Sequence, residues 1–146
     1  MFLTLYPEVA ASPRYRVSQY IPYLKSEGIE CAVESALSAE EYARFLDGKM
    51  SAARYHATEV FRRTIQILTG GSYDVVVVQK AIMTAYLKGF DTLLHKKSSK
   101  LVLDIDDAVH LEPPVVLGAP WKVLEDREQV SKLMASADLV LAGNRW

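Results

Sequence analysis

Residues 100–110 read KLVLDIDDAVH, and the reading of the whole chain turns on them. Leu101, Val102, Leu103 and Ile105 form a short apolar run without alternation, the pattern of a strand buried on both faces in a parallel sheet. The run ends in three carboxylates, Asp104, Asp106 and Asp107, with His110 just beyond. Side chains two apart on a strand share a face, so Asp104 and Asp106 point one way and Asp107 the other. An aspartate inside a buried strand is costly unless something pairs with it, which gives Asp104 a structural role. Asp106 and Asp107 fall at the carboxyl end of the strand, where open α/β sheets bind their ligands.

Working outward, similar apolar stretches recur at 2–6, 29–33, 73–79 and 137–142. Between them lie segments of helical periodicity. Val17, Tyr20, Ile21 and Leu24 share one face in the first of these, and Gly28 stops it. Pro22 either falls in the first turn of a helix that begins near Ser18 or kinks a longer one. A short helix over 38–47 has Ser38 and Glu41 placed for a capping box. A longer one carries Ala53, Ala57, Val60, Phe61, Thr64, Ile65 and Leu68 on one stripe and ends at Gly70-Gly71. Met83, Tyr86, Leu87, Phe90, Leu93 and Leu94 mark another, and Val130, Leu133, Met134 and Ala137 a last one. Strands alternating with helices predict an α/β fold: a doubly wound, Rossmann-like parallel sheet with right-handed crossovers, in three layers α/β/α.

At 146 residues, half of them apolar, the chain is expected to form one domain with a real core. A net charge of −1 gives no general affinity for nucleic acid. The single cysteine, Cys31, has no intramolecular partner, which suits a reducing cytoplasm. No run approaches the length of a membrane-spanning helix, and no signal-peptide pattern opens the chain. No His/Cys spacing suggests zinc, and Cys31 has no identifiable base for nucleophilic work.

Four pieces, SPRYRVSQYIPYLKSEGIE, YDVVVVQK, KLVLDIDDAVH and ASADLVLAGNRW, appear in an order and spacing similar to those of a known family. The chain resembles the N-terminal domain of family 4 glycosyltransferases, retaining enzymes of the two-domain GT-B fold. The resemblance implies that residues 1–146 are the Rossmann-like acceptor domain, a single truncated GT-B half. The donor domain, with its nucleotide-sugar site, is then a part the sequence lacks. Asn144 has the character of an N-cap whose helix does not follow, in keeping with a fragment.

The resemblance also implies the site. Asp106, Asp107 and His110 stand where the family carries polar groups facing the acceptor, although His110 comes later after the strand than is usual there. A carboxylate at that place can bind acceptor hydroxyls or take the acceptor's proton. Ser12, Arg14 and Arg16 follow strand one, where a helix start favours an acceptor phosphate or the donor diphosphate. The other role open to these arginines is neutralising Asp104. Gln79 and Lys80 end the valine strand at the same sheet edge; Lys80 either binds an anion there, which adds both residues to the acceptor-binding or phosphate-binding set, or solvates the strand end. No metal or cofactor is implied, because the nucleotide sugar enters as a substrate. The partners expected are that donor and a glycan or lipid-linked acceptor, with no nucleic acid.

His95, Lys96, Lys97 and Lys100 cluster after a helix. Positive charge there complements the helix dipole or, as the alternative, meets an anionic membrane surface; the expected location is cytoplasmic, with peripheral contact at the inner face of the membrane only under that alternative. Val140, Leu141 and the helix bearing Val130, Leu133 and Met134 are expected to be partly uncovered, which favours a homo-oligomer. Two other functions fit the same residues. One is a magnesium-dependent phosphoryl-transfer or phosphatase-type site on Asp106 and Asp107. The other is a non-catalytic α/β interaction module.

Overall fold

Five strands, β1 (Phe2–Thr4), β2 (Val33–Ser35), β3 (Tyr73–Gln79), β4 (Ser98–Ile105) and β5 (Leu139–Ala142), are found in the computed structural model, which describes residues 1–106 and 121–143. All pair in parallel, in the order β2-β1-β3-β4-β5. The chain moves outward from β1 to β2, then returns past β1 to β3 and continues the other way. The order therefore reverses at the β1/β3 boundary, the switch point of a doubly wound sheet. The architecture is a Rossmann-like three-layer α/β/α fold.

One face of the sheet carries α4 (Ala52–Thr69), α5 (Phe90–His95) and α6 (Gln129–Ser136). Ile67, Leu94 and Leu133 from these helices close over Leu3, Val76, Val78, Leu101, Leu103 and Ile105 to form the main core. The opposite face is covered by α1 (Ala11–Arg16), a 3-10 turn (Ser18–Tyr20) and α2 (Ile21–Ser26). There Leu24 and Ile29 line a cavity over Phe2, Val75 and Val77. Val75, Leu139 and Leu141 remain exposed. The valines of β3 thus alternate, with Val76 and Val78 in the core and Val75 open, where the unbroken apolar run predicts burial on both faces.

Several local expectations change for physical reasons. The first helical segment begins at Ala11 and breaks at Val17, which takes φ −128° and ψ −65°. Pro22 then falls in the first turn of α2, where its missing N–H costs nothing. Strand β2 begins at Val33 rather than near Ile29, because β1 is only three residues long and its Phe2 pairs with Val33. The short helix, α3 (Ala39–Leu46), has the full capping box between Ser38 and Glu41.

Two helices differ more deeply. In α4 the buried row is Tyr55, Glu59, Arg63 and Ile67, whereas Phe61, Ile65 and Leu68 of the apolar stripe face solvent. The segment from Ala81 to Tyr86 is buried yet irregular, and α5 starts only after Gly89, whose φ of +84° suits a residue without a Cβ. Apolar periodicity there reflects burial of Ile82, Met83 and Tyr86 in a loop rather than a helix face. A buried loop must find partners for its backbone. Arg63 Nε donates to Ile82 O (2.8 Å), Asp126 N to Tyr86 O (2.7 Å) and Lys88 N to Leu124 O (3.0 Å), while Glu59 accepts from Thr84 N (2.8 Å). Polar residues of α4 enter the core because they satisfy this loop. Val130 and Leu133 of α6 are fully buried and Met134 is half-buried against the core, so most of the apolar surface expected there lies on β5.

Candidate functional site

The pairing of β3 with β4 sets Gln79 beside Asp104, and that of β1 with β2 sets Thr4 beside Ser35. These four side chains form one polar row across the carboxyl ends of the strands, on the face covered by α1. Thr4, Gln79 and Asp104 are all buried. Such a row survives in a sheet only if each member is matched.

Thr4 Oγ1 donates to Tyr6 O at 2.9 Å and Ser35 Oγ accepts from Leu37 N at 3.3 Å, while helix α1 supplies the partners of Asp104 and Gln79. Arg16 Nε donates to Asp104 Oδ2 at 2.7 Å, and Nη2 donates to Oδ1, a two-pronged pair that joins residues 88 apart in sequence. The hydrogen bond to Asp104 raises the Arg16 pKa above its ordinary value, burial opposes this, and the charges of Asp104 and Asp106 add to it. Gln79 Nε2 donates to Ser12 Oγ at 2.6 Å, across the β1/β3 switch point. The other amide atom of Gln79, Oε1, is buried without a hydrogen-bond partner among the described residues.

Beyond the row, Lys80 adopts φ +70°, a backbone conformation that residues with a side chain seldom take. Its N–H donates to Asp104 O at 2.8 Å, and its Nζ lies 3.2 Å from Asp106 Oδ1. That ion contact lacks hydrogen-bond alignment, so the buried Oδ1 retains acceptor capacity. Gly143, at the end of β5, closes the other side. A Cβ on it would sit 3.1 Å from Asp106 Cα and 3.7 Å from Arg16 Nη1, tight enough to press on the acid. Among the described residues, two acids and two cations therefore alternate at this edge, Asp104 with Arg16 and Asp106 with Lys80.

Of the residues expected at the site, Ser12, Arg16, Gln79, Lys80 and Asp106 come together. Arg16 is committed to Asp104 through one edge of its guanidinium. Arg14 is exposed and stands over the Tyr15 ring, 5.2 Å from its centroid. Asp107 and His110 lie outside the described residues, as do the Pro-rich loop over 111–120 and Asn144. The basic cluster is largely structural. Lys97 Nζ donates to Leu68 O and Gly70 O at the end of α4, Lys100 pairs with Asp138 at 2.6 Å, and His95 bonds Ser136.

A second set of polar groups backs the site, one that the apolar stripes of the sequence do not disclose. Thr84 donates its hydroxyl to Glu59, so His56 Nδ1, 3.0 Å from Thr84 Oγ1, must be the protonated nitrogen of that contact. Arg63 donates to Thr4 O (2.6 Å), Glu34 O (3.1 Å) and Gln66 Oε1 (3.0 Å) as well as to Ile82 O. It thereby ties β1, β2 and the loop after β3 together. Burial brings its pKa down to about 10, against the charges of Glu59 and Glu34. Tyr6, tilted at 45° against Tyr42 with ring centroids 5.5 Å apart, has its phenol pKa raised by burial first and then by Glu59, with Lys80 opposing. Reading the row 55–59–63–67 as one helix face was the available signal.

Fold and edge cluster together define a Rossmann-like α/β domain whose polar groups gather at the carboxyl edge of the sheet. Compared with family models, with curated proteins and with solved structures, the chain matches none. Among the described residues no helix is long and apolar enough to cross a membrane.

Proposed function

We propose that this chain is the acceptor-side half of a glycosyltransferase that transfers sugar from a nucleotide-sugar donor to a sugar or lipid-linked acceptor. The observation that carries the reading is the edge cluster. At the carboxyl ends of β3 and β4, Asp106 Oδ1 and Gln79 Oε1 are buried without a hydrogen bond, beside an ammonium and a guanidinium already matched to carboxylates. A nearly neutral site with spare acceptors suits hydroxyl groups better than a diphosphate. In this reading Asp106 receives the reacting hydroxyl, Lys80 stands beside its carboxylate at 3.2 Å, and Asp107 and His110 act from the segment that follows. The donor binds to a separate domain, and no resident cofactor takes part. The enzyme works in the cytoplasm, at the inner face of the membrane where its acceptor is lipid-linked.

A magnesium-dependent site is less well supported, since Lys80 lies 3.2 Å from Asp106 and Arg16 occupies both oxygens of Asp104. A divalent ion would have to displace or face both cations.

The test is binding by the chain itself. Calorimetry with UDP-, GDP- and ADP-sugars is expected to give no heat, and titration with methyl glycosides to shift the amide resonances of Gln79, Lys80 and Asp106. Micromolar affinity for a nucleotide sugar, roughly −8 kcal/mol, would place the donor here and sink the assignment of halves.

A further inference from the structure

The polar row does not stop at Gln79. Its other end, Thr4 and Ser35, opens into a separate cavity of about 470 Å³ between the loop after β1 and the start of α3. Pro7, Pro13, Ile21, Pro22 and Leu37 form apolar walls, and Glu8, Ser18, Ser35 and Ser38 supply polar groups. The volume suits a small ligand. Its chemistry is distinctive because, among the described residues, the lining contains hydroxyls and a carboxylate but no cation. The start of α3, which alone would attract an anion, already has the Glu41 carboxylate in its capping box, and Arg62 is taken by Glu41 at 2.7 Å. Pyranose rings combine an apolar face with a rim of hydroxyls, which this mixture of proline walls and hydroxyl acceptors matches.

We propose that this cavity is a second subsite for a neutral, hydroxyl-rich unit, and that the ligand of the edge cluster is therefore a glycan or glycoconjugate of at least two sugar units. The proposal rests on the reading of the edge as a sugar-acceptor site. The geometry supplies the link. Strands lie about 4.8 Å apart, so the cavity over β2 and β1 is roughly 10–14 Å from Asp106 on β4. One ring cannot bridge that distance, and a short chain of linked rings can. Helix α1 spans the same interval, with Ser12 over Gln79, Arg16 over Asp104, and Pro13 in the cavity wall.

The experiment is an amide-resonance titration of the chain with methyl glucoside, galactoside and mannoside, and with maltose, lactose and mannobiose. At least one disaccharide is expected to bind about tenfold more tightly than its methyl glycoside. It should shift Glu8, Ser35, Leu37 and Ser38 together with Gln79, Lys80 and Asp106. Ala39→Phe, at an exposed position of the cavity wall, should remove the first group of shifts and the tenfold advantage while leaving methyl glycoside binding unchanged. Glu8→Gln, in a loop, should weaken only the disaccharide. Equal affinity for both lengths, with shifts confined to Gln79, Lys80 and Asp106, would overturn the second subsite and leave the acceptor site standing. Shifts from no saccharide at all would overturn both.

Discussion

Asp104 is buried in the sheet, and Arg16 meets both of its carboxylate oxygens. Asp104→Asn leaves the shape intact but replaces a doubly charge-assisted contact with a single neutral acceptor. The loss in stability is expected to be about 2 kcal/mol by urea denaturation. Arg16→Met should cost more, about 3 kcal/mol, since it strands a buried carboxylate. The double variant should recover part of the sum, because neither charge is then left alone. Lys80 carries a different constraint, a left-handed backbone at φ +70°. Comparing Lys80→Gly with Lys80→Ala isolates it, as both remove the ammonium and only glycine relieves the strain. The glycine variant should be the more stable by about 1 kcal/mol; equal stability would show that the loop relaxes freely. The need of Asp104 for a partner was legible in its apolar surroundings, and Arg16 was one of the two roles open to that arginine. The backbone of Lys80 was not legible, because lysine has no preference for that region and its cause lies in the pairing of Lys80 N with Asp104 O.

Helices α3 and α4 show how far local pattern reaches. The capping box of α3 was readable from Ser38 and Glu41 alone, since both bonds are local. Burial pulls the Glu41 carboxyl up, but the Ser38 N–H and hydroxyl, with Arg62, bring its pKa below the ordinary value. A depressed carboxylate adds stability above its unfolded pKa, and that stability is lost as pH falls through the folded value. Glu41→Gln should therefore cost about 0.5–1 kcal/mol at pH 7, and the gap from the natural chain should close as pH falls below about 4.5. A gap that stays constant in urea titrations across pH would assign the effect to helix propensity instead. Helix α4 defeated the local pattern because its buried face was selected by the loop it supports. Arg63 holds Thr4, Glu34, Gln66 and Ile82 at once. Arg63→Met fills the same volume but removes the bonds to Ile82 O, Glu34 O and Thr4 O, the last of which keeps Ala36 N at 3.0 Å, so a loss of about 3 kcal/mol is expected. Faster amide exchange should appear first between Ala81 and Tyr86. If exchange rises uniformly instead, Arg63 supports the whole sheet rather than that loop.

At the scale of the molecule, the sheet was legible because alternation of strands and helices admits few connections, and right-handed crossovers fix the face of each helix. Coverage was not legible, since an apolar run reads the same whether or not a helix lies over it. The structure leaves Val75, Leu139 and Leu141 exposed by 40%, 51% and 45% on the face opposite α4, α5 and α6, and β5 stands at the end of the sheet. An apolar strand at a sheet edge presents both surface and backbone to a second copy, and pairing about a two-fold axis would satisfy both at once. Association is therefore expected, with a dissociation constant on the order of micromolar. Leu141→Lys should weaken it at least tenfold without unfolding the chain, because Leu141 touches the sheet only from its outer side and charged edge residues are how strands are kept apart. Sedimentation equilibrium of both forms measures the difference directly. A monomer at millimolar concentration, with Leu141→Lys indistinguishable from it, would mean that this face is not where copies of the chain meet.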